Sequence, residues 1–340
     1  MHAQATTRHL RDTFWHLLCH RSELPQEGDY VRFDWQDEEV VIHHDAGQFI
    51  AFNNLCRHRG ARLFTENYGN AVASCPYHGW TYRAGNLVAG APSAILACDI
   101  RLRELQVEWC ADFMFVSASP ATSLELQLAG TMAMLEDISF QLMGRHDFNR
   151  YTYDCSWQVA VENALEPEHI GFVHPESLGK LRLEDGINEF HGVNSVWSAP
   201  LGNTELARKL KTARRFFEVN DMFEGYQSMY LFPFTMLSST FGLSWSLQNF
   251  FPAASGQQSH FTSRLYGAPP KANSPASIAA VLFESSARVN RQVFAEDNAI
   301  CSQVAWNAWN SEPLEHALPS ESKLQHFRSS YRLHRLNGTD

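Results

Sequence analysis

Two short segments, each holding one cysteine and one histidine, constrain the fold of this chain more than any other feature. Cys56 and His58 are separated by one residue, Cys75 and His78 by two, and sixteen residues lie between the two pairs. Glycine follows each pair closely and proline lies inside the second, so both pairs are predicted to lie in turns. Two thiols and two imidazoles can act on one metal centre only if the fold brings these turns side by side.

This ligand set suits an iron–sulfur cluster of the Rieske type, in which two cysteines hold one iron and two histidines hold the other. Neutral imidazoles in place of two thiolates raise the reduction potential, so such a cluster accepts electrons readily. A structural zinc site can use the same four residues, but zinc fingers pair like ligands, as Cys-x2–4-Cys and His-x3–5-His. Each pair here is mixed, which favours the cluster over zinc and over four unrelated core residues.

The surroundings of these four residues closely resemble the cluster-binding segment of Rieske non-haem iron oxygenase α subunits. The resemblance rests on Cys56-Arg-His-Arg-Gly-Ala-Arg-Leu63, on Cys75-Pro-Tyr-His-Gly-Trp-Thr-Tyr82 and on Gly85. It implies that the two cysteines and two histidines named above bind a [2Fe–2S] cluster. Arg57 departs from the family, which commonly has proline at this position, but the position supplies no ligand.

A second stretch, from Trp157 to His174, holds two histidines in a helical context. His169 and His174 are five residues apart. At about 100° per residue, side chains five apart on a regular helix diverge by roughly 140°, so they share a metal only across a local widening or a break. Pro167 and Gly171 favour such a departure from regular helix.

This second stretch is similar to the Glu-Asn-x-x-Asp-x-x-His-x4-His motif of the same oxygenase family. The resemblance implies that His169 and His174 bind mononuclear Fe(II) with one carboxylate, leaving positions open for oxygen. Glu166 stands where the family usually has aspartate, an acid that links the cluster of one subunit to the iron of its neighbour and orients a ligand histidine. We therefore expect Glu166 to take this bridging role, with an ordinary exposed acid as the alternative.

The third iron ligand is expected on a long C-terminal helix, predicted to begin with Ser274 as N-cap and Pro275 at the first position and to end near Trp309. Five apolar residues predict the buried stripe of this helix: Leu282, Val289, Val293, Ile300 and Val304. Glu296 and Asp297 both flank the stripe, so periodicity does not choose between them. The family's ligand is the second acid of such a pair, which implies Asp297.

A length of 340 residues predicts two domains, which we divide at residues 1–118 and 119–340. The first domain is predicted to consist of short strands between turns, and the second is predicted to combine helices with longer strands. Strands are predicted at Arg32–Trp35, Glu39–His43 and Phe49–Phe52, a strand followed by a turn at Phe113–Pro120, and strands at Met229–Leu237, Thr240–Phe251 and His260–Tyr266. The last three are expected to be antiparallel neighbours that form one wall of a cavity. The resemblance implies an α+β fold, with a Rieske β domain before a helix-grip (START-like) catalytic domain.

Composition argues against several classes of partner. A net charge of −10 is unsuited to nucleic acid, which requires a basic face. There is no run of about eighteen apolar residues that would span a membrane, and the stretch from Met1 to Leu10 lacks the apolar segment of a secretory signal. Seven cysteines without a disulfide-like pattern favour a reducing, cytoplasmic setting.

The sequence contains no Gly-x-Gly-x-x-Gly turn and no Cys-x4-Cys-x2-Cys ferredoxin signature, so NAD(P)H is expected to act only indirectly. The resemblance implies an α-only oxygenase component, usually a homotrimer, that receives electrons from a separate reductase or ferredoxin. Its expected reaction uses O2 to hydroxylate or demethylate a small organic substrate. The alternatives are cis-dihydroxylation, a pure electron carrier, and a zinc-stabilised binding protein. The substrate stays open: several arginines could meet an acidic group but are more simply surface residues, namely Arg182, Arg208, Arg214 and Arg215.

Overall fold

The computed structural model describes residues 2–219, 224–305, 308–315 and 318–335. The outer ends of the two predicted domains, Met1 and residues 336–340, therefore lie outside the described residues. The described strands form two seven-stranded sheets and one two-stranded sheet. Both large sheets are antiparallel throughout, and each draws its strands from only one side of the predicted boundary at residue 118. The exact position of that boundary stays a prediction.

The N-terminal part is built from strands, as expected. Its strands are β1 (His16–His20), β2 (Asp29–Trp35), β3 (Glu38–Asp45), β4 (Gln48–Asn53), β5 (Tyr68–Asn70), β6 (Thr81–Arg83), β7 (Asn86–Ala89), β8 (Glu104–Cys110) and β9 (Phe113–Ser117). The large sheet has the order β1-β9-β8-β4-β3-β2-β5, while β6 and β7 pair separately. The predicted strands at Arg32–Trp35, Glu39–His43, Phe49–Phe52 and Phe113 onward are confirmed.

The turn between β3 and β4 follows from its sequence. Asp45 pairs with Gln48, so the loop contains two residues, Ala46 and Gly47, with φ of +53° and +73°. Positive φ at both loop positions defines a type I′ turn, whose twist matches that of the flanking strands. The carboxylate of Glu27 accepts the N–H groups of both loop residues, at 2.6 and 3.2 Å. This hairpin sets the register of the sheet that carries the first pair of predicted metal ligands.

The C-terminal part contains the second large sheet. Its strands are β10 (Arg145–Tyr153), β11 (Ile187–His191), β12 (Asn194–Ala199), β13 (Tyr226–Leu231), β14 (Thr235–Thr240), β15 (Ser244–Pro252) and β16 (Ser259–Gly267). They lie in the order β10-β16-β15-β14-β13-β12-β11. The described helices of the whole chain are α1 (His2–Thr13), α2 (Ser93–Leu96), α3 (Leu124–Leu128), α4 (Thr131–Ser139), α5 (Trp157–Leu165), α6 (Ile170–Val173), α7 (Thr204–Arg214), α8 (Ala276–Cys301) and α9 (Ser322–His334).

Two of the predicted strand boundaries are wrong. The run Met229–Leu237 is a hairpin, because Leu231 pairs with Thr235 and Pro233 between them has no N–H to donate to a ladder. The run Thr240–Phe251 starts in a turn, where Phe241 and Gly242 both have positive φ. Apolar residues continue through the first turn, whereas the second contains Gly242, a turn residue that the predicted strand included. The strand at His260–Tyr266 and the antiparallel order of these neighbours are confirmed.

The long helix is shorter than predicted and has a different buried face. It runs from Ala276 to Cys301, with Pro275 as N-cap, because the Ser274 hydroxyl donates instead to the Phe216 carbonyl at 2.6 Å. Its fully buried residues are Ala287, Phe294 and Cys301. In the predicted stripe, by contrast, Ile300 and Val304 are 38% and 40% exposed. The α+β fold, with a long C-terminal helix and an antiparallel sheet, is confirmed.

The two large sheets share one core. Trp35 of β2 lies against Phe251 of β15 with ring centroids 5.2 Å apart, and Trp157 of α5 packs edge-on against Phe234. Among the helices of the described ranges, none combines the length and the apolar character that a bilayer span requires.

A buried charged cluster also joins the two parts. The Glu23 carboxylate, 1% exposed, lies 2.7 Å from Arg145 and 3.5 Å from Arg264, which is fully buried, and accepts the Tyr266 hydroxyl. Removing one partner of a buried ion pair leaves the other charge without compensation. We expect Glu23→Gln to lower the free energy of unfolding by about 3 kcal/mol, measured from the urea midpoint by tryptophan fluorescence.

The matched control is Glu176→Gln. Glu176 pairs with Lys180 at 3.0 Å, but the two side chains are 77% and 58% exposed. A surface substitution of this kind is expected to change the free energy of unfolding by less than about 0.5 kcal/mol. Equal urea midpoints for the two variants would contradict a stabilising role for the buried cluster.

Candidate metal centres

The two predicted cluster-binding loops share one backbone hydrogen-bond pattern. In each, the cysteine N–H donates to the carbonyl of the residue five positions later, Ala61 or Trp80, at 2.8 Å. The glycine four positions after the cysteine donates back to the cysteine carbonyl at 2.9 Å in both loops. Gly60 and Gly79 both have φ of +72°, a conformation that glycine adopts without steric cost. Two matching turns therefore present one cysteine and one histidine each.

The four side chains differ in exposure in a way that suits a cluster. Cys56 and Cys75 are each 3% exposed and belong to the same buried group, whereas His58 and His78 are exposed. The two imidazole rings lie with centroids 4.8 Å apart, and His58 also stacks on Trp80 at 4.7 Å. The thiols thus face the protein interior and the imidazoles face the surface.

The arrangement does not suit a single zinc ion. Tetrahedral zinc with bonds of about 2.0–2.3 Å needs its ligand atoms within roughly 3.8 Å of one another. Among the described residues, the one group of three or more His, Cys, Asp or Glu donors that all lie within 4.8 Å of one another lies elsewhere in the chain. In a [2Fe–2S] cluster the four ligands are divided between two irons, so their donor atoms do not all have to surround one metal ion. The donor set therefore fits the cluster better than zinc.

Tyr82 is a neighbour of the cluster site whose role the sequence did not reveal. Its hydroxyl lies 3.3 Å from Cys56 Sγ and accepts the N–H of Arg57 at 3.0 Å. Burial raises the pKa of Tyr82, and the hydrogen bond with Cys56 raises it further. The phenol therefore keeps its proton and can donate it to the sulfur as a hydrogen bond.

The predicted departure from regular helix is present, but the break lies before the two histidines, at Glu166 and Pro167, and not between them. Helix α5 ends at Leu165, and Glu166 has an extended conformation with φ −91° and ψ 122°. The short helix α6 then begins after His169 and ends before His174, so that the two histidines cap its opposite ends. Their ring centroids lie 5.2 Å apart. The chain achieves this by a break at Pro167, without a π-type turn in the described residues.

The structure brings the three predicted iron-binding residues together. Asp297 Oδ1 lies 3.0 Å from His174 Nε2 and 3.7 Å from His169 Nε2. All three donor atoms lie within 4.8 Å of one another. Two imidazoles and one carboxylate that converge from one side fit the facial set that binds Fe(II) and leaves coordination positions open.

Each histidine has a carboxylate behind it. His169 Nδ1 lies 3.2 Å from Glu166 Oε2, and His174 Nδ1 lies 2.7 Å from Glu296 Oε2. With Nδ1 protonated and donating to a carboxylate, Nε2 carries the lone pair that a metal needs. Ser177 Oγ also donates to Glu296, at 2.6 Å. Sequence reasoning missed this role, although it named Glu296 as the rival ligand.

The electrostatics favour an ionised carboxylate behind each histidine. Burial raises the pKa of Glu166, but the hydrogen bond and charge of His169 outweigh it, and the pKa is lowered overall. The pKa of Glu296 is likewise lowered, because hydrogen bonds from Ser177 and His174 outweigh burial. Burial lowers the pKa of His174, but Asp297 and Glu296 more than offset it, so its pKa is raised. Both carboxylates are therefore ionised acceptors at neutral pH.

A small cavity of about 50 Å³ adjoins this group. Tyr226, Met236 and Gln248 line it from the adjacent strands β13, β14 and β15, so that two of the three predicted strand runs contribute to its wall, whereas His260–Tyr266 does not line it. Lys323 lines it from α9 and was not anticipated from the sequence. None of the four arginines named in the sequence analysis lines this cavity: Arg182, Arg208 and Arg215 are exposed, as expected, whereas Arg214 is buried and is not the surface residue that was expected.

Comparisons with known proteins identify the two parts. Residues 14–97 match the family described as the Rieske [2Fe-2S] domain, and residues 140–334, more than half of the chain, match the ring hydroxylating alpha subunit (catalytic domain). This pairing defines the class of Rieske oxygenase α subunits. The chain belongs to the ring-hydroxylating α-subunit family, as the sequence resemblance indicated. Membership implies a Rieske cluster and a mononuclear iron as cofactors.

Among curated proteins, the carnitine monooxygenase oxygenase subunit of Escherichia coli K12 is 28% identical over 239 residues, which cover 66% of this chain and 61% of that protein. The glycine betaine monooxygenase oxygenase subunit of Chromohalobacter salexigens is 30% identical over 174 residues, which cover 49% of this chain and 39% of that protein. The matches thus span less than two thirds of these relatives.

Solved structures share the fold. The quaternary ammonium Rieske monooxygenase CntA in complex with L-carnitine has a TM-score of 0.75 at 21% identity, covering 98% of this chain and 92% of that one. Naphthalene 1,2-dioxygenase with indole bound has a TM-score of 0.72 at 19% identity, covering 97% and 89%.

Proposed function

We propose that this chain is the oxygenase component of a system that uses O2 to hydroxylate or demethylate a small organic substrate. The observation that carries the proposal is the group of His169, His174 and Asp297 beside a small cavity, in the same chain as a Rieske motif. Iron held there would activate O2 with electrons supplied through the cluster. A pure electron carrier would have no use for this group.

We assign the ligands as the sequence predicted them. The cluster is held by Cys56, His58, Cys75 and His78, and the mononuclear iron by His169, His174 and Asp297. Two observations support these assignments: the matching turns of the cluster loops, and the convergence of three donor atoms at the iron site. We assign Glu166 as the acid that orients His169 and links the two centres between subunits.

The remaining residues orient the ligands and exclude water. Asn163 donates to Asp297 Oδ1 at 2.8 Å, which holds the carboxylate towards the histidines. Val293, Phe294 and Met236 supply apolar surface to the cavity. An apolar wall keeps bulk water away from a reactive centre and favours a substrate whose reacting part is uncharged.

A homotrimer with electron transfer between subunits is part of the proposal. His58 and His78 are exposed, and Phe172, between the two iron-binding histidines in sequence, is 88% exposed. Exposed imidazoles at the cluster and an exposed phenylalanine near the iron site suit surfaces that meet in an assembly. A solved structure of CntA gave insight into inter-subunit electron transfer in that protein.

External electrons are proposed to come from a separate reductase or ferredoxin, so that NAD(P)H acts only indirectly. The net charge of −10 is compatible with a basic patch on such a partner. None of the seven cysteines, all of which lie in the described ranges, forms a disulfide, which supports a reducing, cytoplasmic setting.

The test is a single turnover with labelled O2. Chemically reduced protein with both iron centres filled is mixed with small N-methylated, methoxylated and aromatic compounds, and products are identified by mass. One labelled atom in the product, or loss of a methyl group as formaldehyde, supports the proposal. Two labelled atoms would instead indicate a dioxygenase, the activity in the name of a relative such as 2-halobenzoate 1,2-dioxygenase. Iron analysis that accounts for the cluster alone would favour an electron carrier.

A further inference from the structure

Lys323 places a positively charged group in the wall of the candidate active-site cavity. It lies at the start of α9, is 3% exposed, and lines the same cavity as His169, His174 and Asp297. Its position is well defined, because Arg328 on the same helix donates to both carboxylate oxygens of Glu162 at 2.5 and 2.9 Å. The lysine is therefore held by a packed helix.

No anionic partner satisfies this lysine within the described residues. Its Nζ lies over the ring of Trp197, 4.6 Å from the centroid, but it forms no hydrogen bond or ion pair there. The nearby Glu166 directs its oxygens to the N–H groups of Glu168 and His169 and to the His169 ring. Lysine is almost never fully buried without a partner, so the surroundings of Lys323 favour an anionic ligand.

Burial of the Lys323 amine away from an anionic partner has an electrostatic cost. Burial lowers the pKa of Lys323 to about 7, and the charge of Glu166 only partly opposes the shift. An anion bound beside Nζ would offset this cost and restore full protonation of the amine. The cation–π contact with Trp197 holds the ammonium group in place but supplies no acceptor for its hydrogen bonds.

We infer that Lys323 binds the carboxylate of the substrate, so that this cavity selects small organic carboxylates and directs their other end towards the iron-binding group. This inference rests on the proposed function and names its substrate class. The apolar side chains of Met236, Val293 and Phe294 in the cavity wall suit the remainder of such a molecule.

Matched pairs of compounds test the inference by binding alone. Each pair consists of a carboxylate and the corresponding alcohol. The pairs are glycine betaine with choline, butyrate with butanol, and benzoate with benzyl alcohol. Calorimetry is performed on the iron-loaded protein without reductant or O2. We expect the wild-type protein to prefer a carboxylate to its alcohol, and Lys323→Met to weaken carboxylate binding at least about tenfold without weakening alcohol binding.

Two further variants complete the test. Lys323→Arg keeps the positive charge and should retain most of the carboxylate preference. Lys180→Met removes an exposed lysine that pairs with Glu176 outside the cavity, and should bind like the wild type. Circular dichroism and iron analysis verify that every variant is folded and loaded.

The inference is overturned if no carboxylate binds to the wild type, or if Lys323→Met binds carboxylates as tightly as the wild type does. The oxygenase proposal fails separately, if bound substrates are never oxygenated by the reduced protein. Carboxylate binding that depends on Lys323 would survive that failure, because the binding measurement uses neither reductant nor O2.

Discussion

Replacing Asp297 with alanine is expected to remove the mononuclear iron and abolish product formation while the Rieske cluster stays in place. Asp297 Oδ1 faces the Nε2 atoms of His174 and His169 at 3.0 and 3.7 Å, and it is the anionic donor of the three. Two neutral imidazoles alone hold Fe(II) weakly, because carboxylate charge offsets much of the charge of the metal. Iron analysis should fall from about three to about two atoms per chain, with an unchanged cluster absorption spectrum.

Glu296→Gln is the matched control, since it alters the neighbouring acid on the same helix. Its carboxylate accepts from His174 Nδ1 at 2.7 Å and is 25% exposed, against 15% for Asp297. Loss of an acceptor behind a ligand histidine costs about 10–100-fold in metal affinity, so this variant should still load at high iron concentration. Complete loss of iron in Glu296→Gln, with retention in Asp297→Ala, would reverse the assignment of the third ligand.

A more accurate prediction of the buried face of α8 would have allowed the sequence to choose between these two acids. The predicted stripe used valine, leucine and isoleucine, whereas the residues that α8 buries fully are Ala287, Phe294 and Cys301, each seven after the last. Asp297 lies three residues after Phe294 and four before Cys301, on the same face of the helix. Alanine and cysteine are among the most often buried residue types, and leaving them out shifted the stripe around the helix.

The two cysteine–histidine turns and the break before the two histidines could be predicted because the information is local. Each cluster loop contains its own turn glycine, and the break at Pro167 lies between α5 and the two histidines. The hairpin inside Met229–Leu237 was missed because apolar residues continue through the loop. Lys323 could not be found this way, since its burial depends on contact between α9 and Trp197, which lies far away in the chain. No periodic pattern marks a lysine whose neighbours come from another element.

At an iron concentration that fills both centres, Glu166→Gln is expected to reduce product formation by about 100-fold. The Glu166 carboxylate accepts the N–H of His169 at 3.1 Å and lies 3.2 Å from its Nδ1. Gln keeps the size of the side chain but loses the charge, so the imidazole is held less firmly in the tautomer that presents Nε2 to a metal. It also removes the ionised group that we propose to link the cluster of one subunit with the iron of the next.

The decisive measurement is the rate at which the reduced cluster is reoxidised when O2 and substrate are added, followed by its absorption. In Glu166→Gln, this rate should be lower than in the wild type, in parallel with product formation. In Glu166→Asp it should be closer to the wild-type rate, because Asp keeps the charge although its side chain is one methylene shorter. Glu168→Gln is the control, because Glu168 is an exposed acid two residues away. If Glu166→Gln reoxidises its cluster as fast as Glu168→Gln, Glu166 does not carry the bridging role, and its contact with His169 serves only to orient that ring.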